Sequence, residues 1–149
     1  LHFAMCHRAS HGKISKTDCC AGQLNQVFLN IIGNAIEALE NQPQPRTIVI
    51  RTEMKKAGLN NITSKLGECD RIVICIADSG PGMTEDVRKR LFDPFFTTKQ
   101  VGSGTGLGLS ISHQIVVEKH KGSLRCISAP GQGAEFWIEI PCTSDRPFT

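Results

Sequence analysis

The chain has 149 residues, 40% of them hydrophobic and 21% charged, with a formal net charge of +3. That length suits one domain around one core, and Lys and Arg scattered among the acids build no face for nucleic acid. No run nears the roughly 18 unbroken apolar residues of a membrane span, and the opening LHFAMCHRAS lacks the apolar centre of a signal peptide, so a cytoplasmic domain without membrane contact is expected.

Residues 1–17 show no clear period and read as a lead-in segment, poorly ordered or linking to something larger, ahead of a folded unit at 18–149. His7 and His11 lie four apart without further ligands near them. Seven cysteines without a CxxC pair suit neither a disulfide framework nor a zinc site.

From about Asp18 to Glu40, apolar residues at Leu24, Val27, Phe28, Ile31, Ala35, Ala38 and Leu39 predict an amphipathic helix. Asp18 can cap its start, and Pro43 and Pro45 stop it. On its flank cluster Asn30, Asn34 and Glu37. Amide and carboxylate oxygens suit Mg²⁺, which keeps several waters and bridges substrate phosphates; the plain alternative is a solvated helix flank.

Arg46 to Met54 predicts a strand with Ile48, Ile50 and Met54 on one face. KKAGLNNITSKLGECD reads as a surface loop, and the continuously apolar Arg71 to Asp78 as a central strand, with Cys75 as core. Asp78 ends that strand inside DSGPGM. A carboxylate there needs donors: an exocyclic amine such as adenine's, with Gly80 and Gly82 letting the ring lie on backbone, or the amides of an ordinary strand-to-helix turn.

Thr84 to Phe92 predicts a short helix with a threonine cap, acids first and bases last. After FDPFFTTKQVGSGTG, expected to be mobile, a helix is predicted from about Thr105 to His120, stopped by Gly122. Gly102, Gly104, Gly106 and Gly108 run into that helix, where unpaired N–H groups favour an anionic phosphate; a mobile glycine loop is the other reading. Leu107 replaces the third glycine of a Rossmann fingerprint, and Gly12-Lys13 is followed by Ile14, so neither that cradle nor a P-loop is present. The end predicts a hairpin about PGQG, with Phe136, Ile138 and Ile140 inward and Glu135, Trp137 and Glu139 outward.

In order, NIIGNAIEA, DSGPGM, LFDPFFTTK and GTGLGLSI resemble the asparagine, first glycine, phenylalanine and second glycine boxes of the sensor histidine kinase catalytic domain, of the superfamily shared with gyrase B, MutL and the heat-shock chaperone ATPases. LFDPFFTTK followed closely by GSGTGLGLSI is similar to the nitrogen-regulator-type kinases. The resemblance covers about Gln23 to Pro141 and implies an α+β fold: a two-layer α/β sandwich, its sheet mixed but mostly antiparallel, with helices on one face.

It also implies ATP and Mg²⁺ as ligands. By residue, Asn34 matches the Mg²⁺ ligand, and Asn30, Glu37 and Lys99 match polar groups near metal and phosphate. Asp78 matches the acid that binds the adenine amine, with Gly80, Gly82 and Met83 beside the ring. Phe95, Phe96 and Thr98 match a lid over 92–106, the two phenylalanines packing to position it. Gly104, Thr105, Gly106, Leu107 and Gly108 match the segment at the phosphates. Implied partners are a helical dimerisation domain carrying an acceptor histidine and a response-regulator receiver domain.

Some residues depart from the pattern. Asn30 stands where the superfamily's hydrolases place glutamate, and an amide cannot take a proton from water. No acceptor motif is present, since His7 precedes Arg8 and His113 precedes Gln114. Ala134 replaces a frequent threonine, worth about 1 kcal/mol of nucleotide binding if one hydrogen bond is lost, and Lys121 replaces a common glycine. A silent nucleotide-binding module and an anti-sigma-type serine kinase are the alternative functions.

Overall fold

The computed structural model describes residues 2–7, 20–56, 69–99 and 104–142. In chain order the elements are β1 (His2–His7), α1 (Ala21–Leu39), β2 (Thr47–Lys55), β3 (Arg71–Asp78), α2 (Glu85–Arg90), α3 (Gly108–Gln114), β4 (Ser123–Ser128) and β5 (Ala134–Pro141). A π-helical turn, Ile115–Lys119, continues α3. The strands form one sheet in the order β1-β2-β3-β5-β4, antiparallel except for the β1–β2 pair. This is the expected mostly antiparallel sheet, with helices packed on one face.

The core lies between that face and the helices. In register, Ile76 of β3 faces Ile50 and Phe136, and Ile74 faces Ile138. Ile48, Ile76 and Ile138 meet the α1 stripe of Leu24, Val27, Ile31, Ala35 and Leu39 in one buried cluster. Burial of each large aliphatic side chain contributes about 1.5–3 kcal/mol, far above the few tenths that helix propensity supplies. The α1 period therefore decides how the helix sits, and it turns Asn34 and Glu37 along its flank.

The other sheet face carries no described helix. Salt bridges Arg51–Glu135, Lys55–Glu139 and Arg125–Glu139 cross it, with Arg125 over the Trp137 ring. Val73 and Cys75 are buried among these chains, since Arg51 and Trp137 flank Cys75 in register. Burial pushes the Cys75 thiol up, with the Glu135 charge adding to it.

Several elements differ from the sequence expectation. Where a lead-in without period was expected, His2–His7 forms an edge strand parallel to β2; residues 8–17 lie outside those described. The helix expected from Asp18 begins at Ala21, and Asp18 also lies outside the described residues. Its N-cap, Cys20, makes no side-chain cap, and the Cys20 N–H instead donates to His120 Nε2 at 3.2 Å. The helix expected from Thr105 starts at Gly108, because Gly106 takes φ +65° and breaks the helical path before it. At its end Lys121 takes φ +52°, the conformation that glycine adopts without cost. Thr84 caps α2 as expected, its hydroxyl accepting from the Val87 N–H at 3.4 Å. The loop 57–68 lies outside the described residues, among which no helix is long and apolar enough to cross a membrane.

Candidate functional site

A cleft of about 810 Å³ opens between the α1 flank, the loop after β3, α2, the segment 96–99 and the start of α3. Of the residues singled out from sequence, Asn34, Glu37, Asp78, Gly82, Met83, Phe96, Thr98, Lys99, Gly104, Thr105, Gly106 and Gly108 line it. Asn30, Gly80, Phe95 and Leu107 do not.

One end is built around Asp78, the last residue of β3. Its Oδ1 accepts from the Gly80 N–H at 2.8 Å, and its carboxylate accepts from the Ala134 backbone. Burial nevertheless pushes the Asp78 carboxyl above its ordinary value, the two amides opposing it. Nearby, burial and then the Asp78 charge push the Cys126 thiol up to about 12, which leaves it unreactive.

The loop after Asp78 is locked to the β4–β5 turn. The Gly131 N–H donates to Pro81 O at 2.7 Å, and the Met83 N–H donates to Ser128 Oγ at 2.9 Å. Ser128 in turn donates to Gly133 O at 2.6 Å. Gly82 sits at φ +70° with its Cα against the Ala129 carbonyl, so no side chain fits there. Gly80 serves through its amide rather than by lying against the cleft.

The other end gathers oxygen and nitrogen groups. Lys99 Nζ ion-pairs with Glu37 and lies 3.4 Å from Asn34 Oδ1. An amide and a carboxylate oxygen thus hold a cation together, and these are hard donors of the kind Mg²⁺ takes. Among the described residues no three His, Cys, Asp or Glu side chains cluster to hold a metal. A divalent ion bound here would complete its shell with water or substrate oxygens.

Asn30 faces elsewhere. Its Nδ2 donates to Gly108 O at 2.9 Å and to Ser112 Oγ at 3.1 Å, so it ties α1 to α3 instead of facing the cleft.

The phenylalanines divide, where Phe95 and Phe96 were both expected to pack and so position the lid. Phe96 lies under the Arg90 guanidinium, 4.5 Å from it, and Phe92 stacks on His113 with centroids 5.0 Å apart. Phe95 is 75% exposed. Its φ of +65° throws the ring outward, while its backbone packs against Gly106.

That contact sorts the glycines. A Cβ on Gly106 would collide with the Phe95 backbone, so the fold itself requires glycine there. A Cβ on Gly108 would meet Asn30 at ordinary contact distance, 3.5 Å and beyond, and one on Gly104 would press on the flexible Lys99 stem. Packing against the rest of the fold therefore does not by itself demand glycine at these two positions.

Sequence reasoning missed the apolar wall of the cleft, formed by Val87, Leu91, Leu109 and Phe136. Val87 and Leu91 stand four apart in an otherwise charged helix, a spacing that already pointed to a shared face.

Comparison with known proteins agrees with this geometry. A family profile of histidine kinase-, DNA gyrase B- and HSP90-like ATPases matches residues 21–144. Sporulation kinase E of Bacillus subtilis is 41% identical over 123 residues, 83% of this chain and 14% of that protein. Sensor kinase CckA of Brucella abortus is 38% identical over 122 residues, 80% of this chain and 12% of that protein. The chain thus spans a small part of the curated relatives it matches. The nucleotide-free catalytic domain of histidine kinase ThkA superposes with a TM-score of 0.68 at 28% identity, covering 95% of this chain and 80% of that one. Full-length ShkA in complex with AMPPNP gives 0.70 at 27% identity, over 98% of this chain and 27% of that one.

Proposed function

Because the chain belongs to the family of histidine kinase-, DNA gyrase B- and HSP90-like ATPases, we propose that it binds ATP with Mg²⁺ and presents the γ-phosphoryl group to a histidine on a helical dimerisation domain. The phosphoryl group then passes to an aspartate of a response-regulator receiver domain. The unit that does this is taken as residues 18–149 together with the edge strand β1, which pairs with β2 in the same sheet, in a cytoplasmic setting.

One observation carries the reading: a single cleft has a half-buried acid at one end and a cation held by Asn34 and Glu37 at the other, with bare backbone at Gly104 and Gly108. Adenine's amine donates to the Asp78 carboxylate, and Met83 with Leu91 and Val87 covers the ring. The triphosphate runs toward Gly104 and Gly108, where backbone amides meet it without side chains in the way. Lys99 leaves Glu37 for the terminal phosphates. When bound, Mg²⁺ neutralises phosphate charge, held on the protein side by Asn34 with Glu37 beside it. The protein's part in the transfer is positioning and charge neutralisation. The amide at Asn30, turned to Gly108, gives no base for water, which supports transfer over hydrolysis. The ligand of full-length ShkA, AMPPNP, supports the same nucleotide class.

Incubating the chain with an acceptor domain and γ-labelled ATP tests this. The expected product is acid-labile label on the acceptor's histidine. Tight nucleotide binding with no labelled histidine on any acceptor tried, or acid-stable label, overturns transfer to histidine. Asn34→Ala is expected to lose the Mg²⁺-dependent part of ATP affinity while still binding the ring; unchanged Mg²⁺ dependence would remove Asn34 as the metal ligand.

A further inference from the structure

Ser112 is the buried polar side chain among the described residues, at 0% exposure, and nothing in the reading above uses it. It lies one turn along α3 from Gly108. Its hydroxyl donates to Gly108 O at 2.8 Å and accepts from Asn30 Nδ2 at 3.1 Å. The second Asn30 hydrogen goes to the same Gly108 carbonyl at 2.9 Å. Three groups thus close a ring of hydrogen bonds, and two side-chain donors converge on one carbonyl oxygen.

A helix-interior serine bonded back to the fourth preceding carbonyl is mildly destabilising. A buried hydroxyl also needs every partner it can find. An apolar residue would fill the space without either cost, as Ile115 and Val116 do one turn on. The hydroxyl therefore serves something other than packing.

The Gly108 carbonyl shares its peptide unit with the Leu109 N–H. Donors placed on the oxygen draw electron density from the nitrogen and strengthen that N–H as a donor, the polarisation that runs through hydrogen-bonded chains. Leu109 lines the cleft beside Gly108, and its N–H lies in the first helical turn, where no intrahelical acceptor exists.

We propose that Asn30 and Ser112 are a positioning pair that fixes and polarises the Gly108–Leu109 peptide, so that its N–H grips the phosphate end of the nucleotide. The inference rests on the reading that the cleft holds an adenine nucleotide. It moves Asn30 from a group beside metal and phosphate to one that acts through a backbone amide, and it gives Ser112 a role.

The test uses ADP and adenosine as paired probes, the second carrying no phosphate. Titration calorimetry or ligand-observed NMR on Ser112→Ala and Asn30→Asp is expected to show ADP affinity weakened about two- to fourfold, as for loosening rather than loss of one charge-assisted hydrogen bond. Adenosine affinity should stay at the wild-type level. In the free protein, the Leu109 amide proton and nitrogen should shift upfield in Ser112→Ala, and Ser112→Thr, which keeps the hydroxyl, should restore both readouts. Equal loss for ADP and adenosine would mean a purely structural role and overturn the proposal, as would unchanged ADP affinity or an unmoved Leu109 amide. A folded wild-type chain that binds neither probe would refute the nucleotide reading itself, a result distinct from failure of the pair.

Discussion

At the scale of single residues, Asp78 is held in tension. Burial raises its carboxyl pKa while the Gly80 and Ala134 amides work against that rise. Adenine's amine needs the ionised form as acceptor. Affinity for ATP should therefore be full above the raised value and fall as pH drops through it, at a higher pH than an ordinary aspartate would give. Calorimetry across that range checks this, with Asp78→Ala losing nucleotide binding altogether; affinity that stays flat into the ordinary aspartate range would remove the carboxylate as the ring's partner. The glycines give a second contrast. Gly106→Ala forces a Cβ into the Phe95 backbone at positive φ and should cost about 1–2 kcal/mol or more in thermal unfolding. Gly108→Ala should melt like wild type and yet bind ATP more weakly.

At the scale of elements, the junction after α3 joins two helix ends through one imidazole. His120 Nδ1 donates to Ile115 O at 2.9 Å, and its Nε2 accepts from the Cys20 N–H that begins α1. His120→Ala should lower stability by about 1–2 kcal/mol, two modest hydrogen bonds, seen as a drop in Tm without change in nucleotide affinity. Lys121, next along, sits in the left-handed region. Lys121→Gly should raise stability by about 1 kcal/mol; a lower Tm would show that the lysine side chain makes up for its backbone. The sequence departure at 121 thus acquires a physical meaning. Elements whose burial follows a local period were legible in the sequence: α1, β3 and the β4–β5 hairpin fall within a few residues of expectation. β1 was not, because a parallel edge strand is defined by a partner far along the chain. The start of α3 was not, because Gly106 is turned by the backbone of Phe95. Asn30 shares its flank with Asn34, and only the packing of α3 on α1 decides that one meets Gly108 and the other the cleft.

At the scale of the whole molecule, the core is one-sided. Ile76 and Ile138 press against α1 beneath the cleft floor, so Ile138→Ala should cost about 2–5 kcal/mol in denaturant unfolding and weaken nucleotide binding with it. The opposite face relies on ion pairs whose basic partners are exposed, worth about 0–1 kcal/mol each, so high salt should move Tm little. The boxes legible in the sequence are thus the rim of a cleft whose floor is the core itself. The two halves of that rim are built differently. The loop beyond Asp78 is stitched to the β4–β5 turn by Gly131, Met83 and Ser128, whereas on the far side, among the described residues, Lys99 reaches across to Glu37 and Asn34. A small heterocycle shaped to the stitched half would find its socket ready-made, enter without waiting for any closure, and owe its residence time to fit alone. Only a ligand with an anionic tail would have to prise Lys99 free, and it would be slower both to settle and to leave.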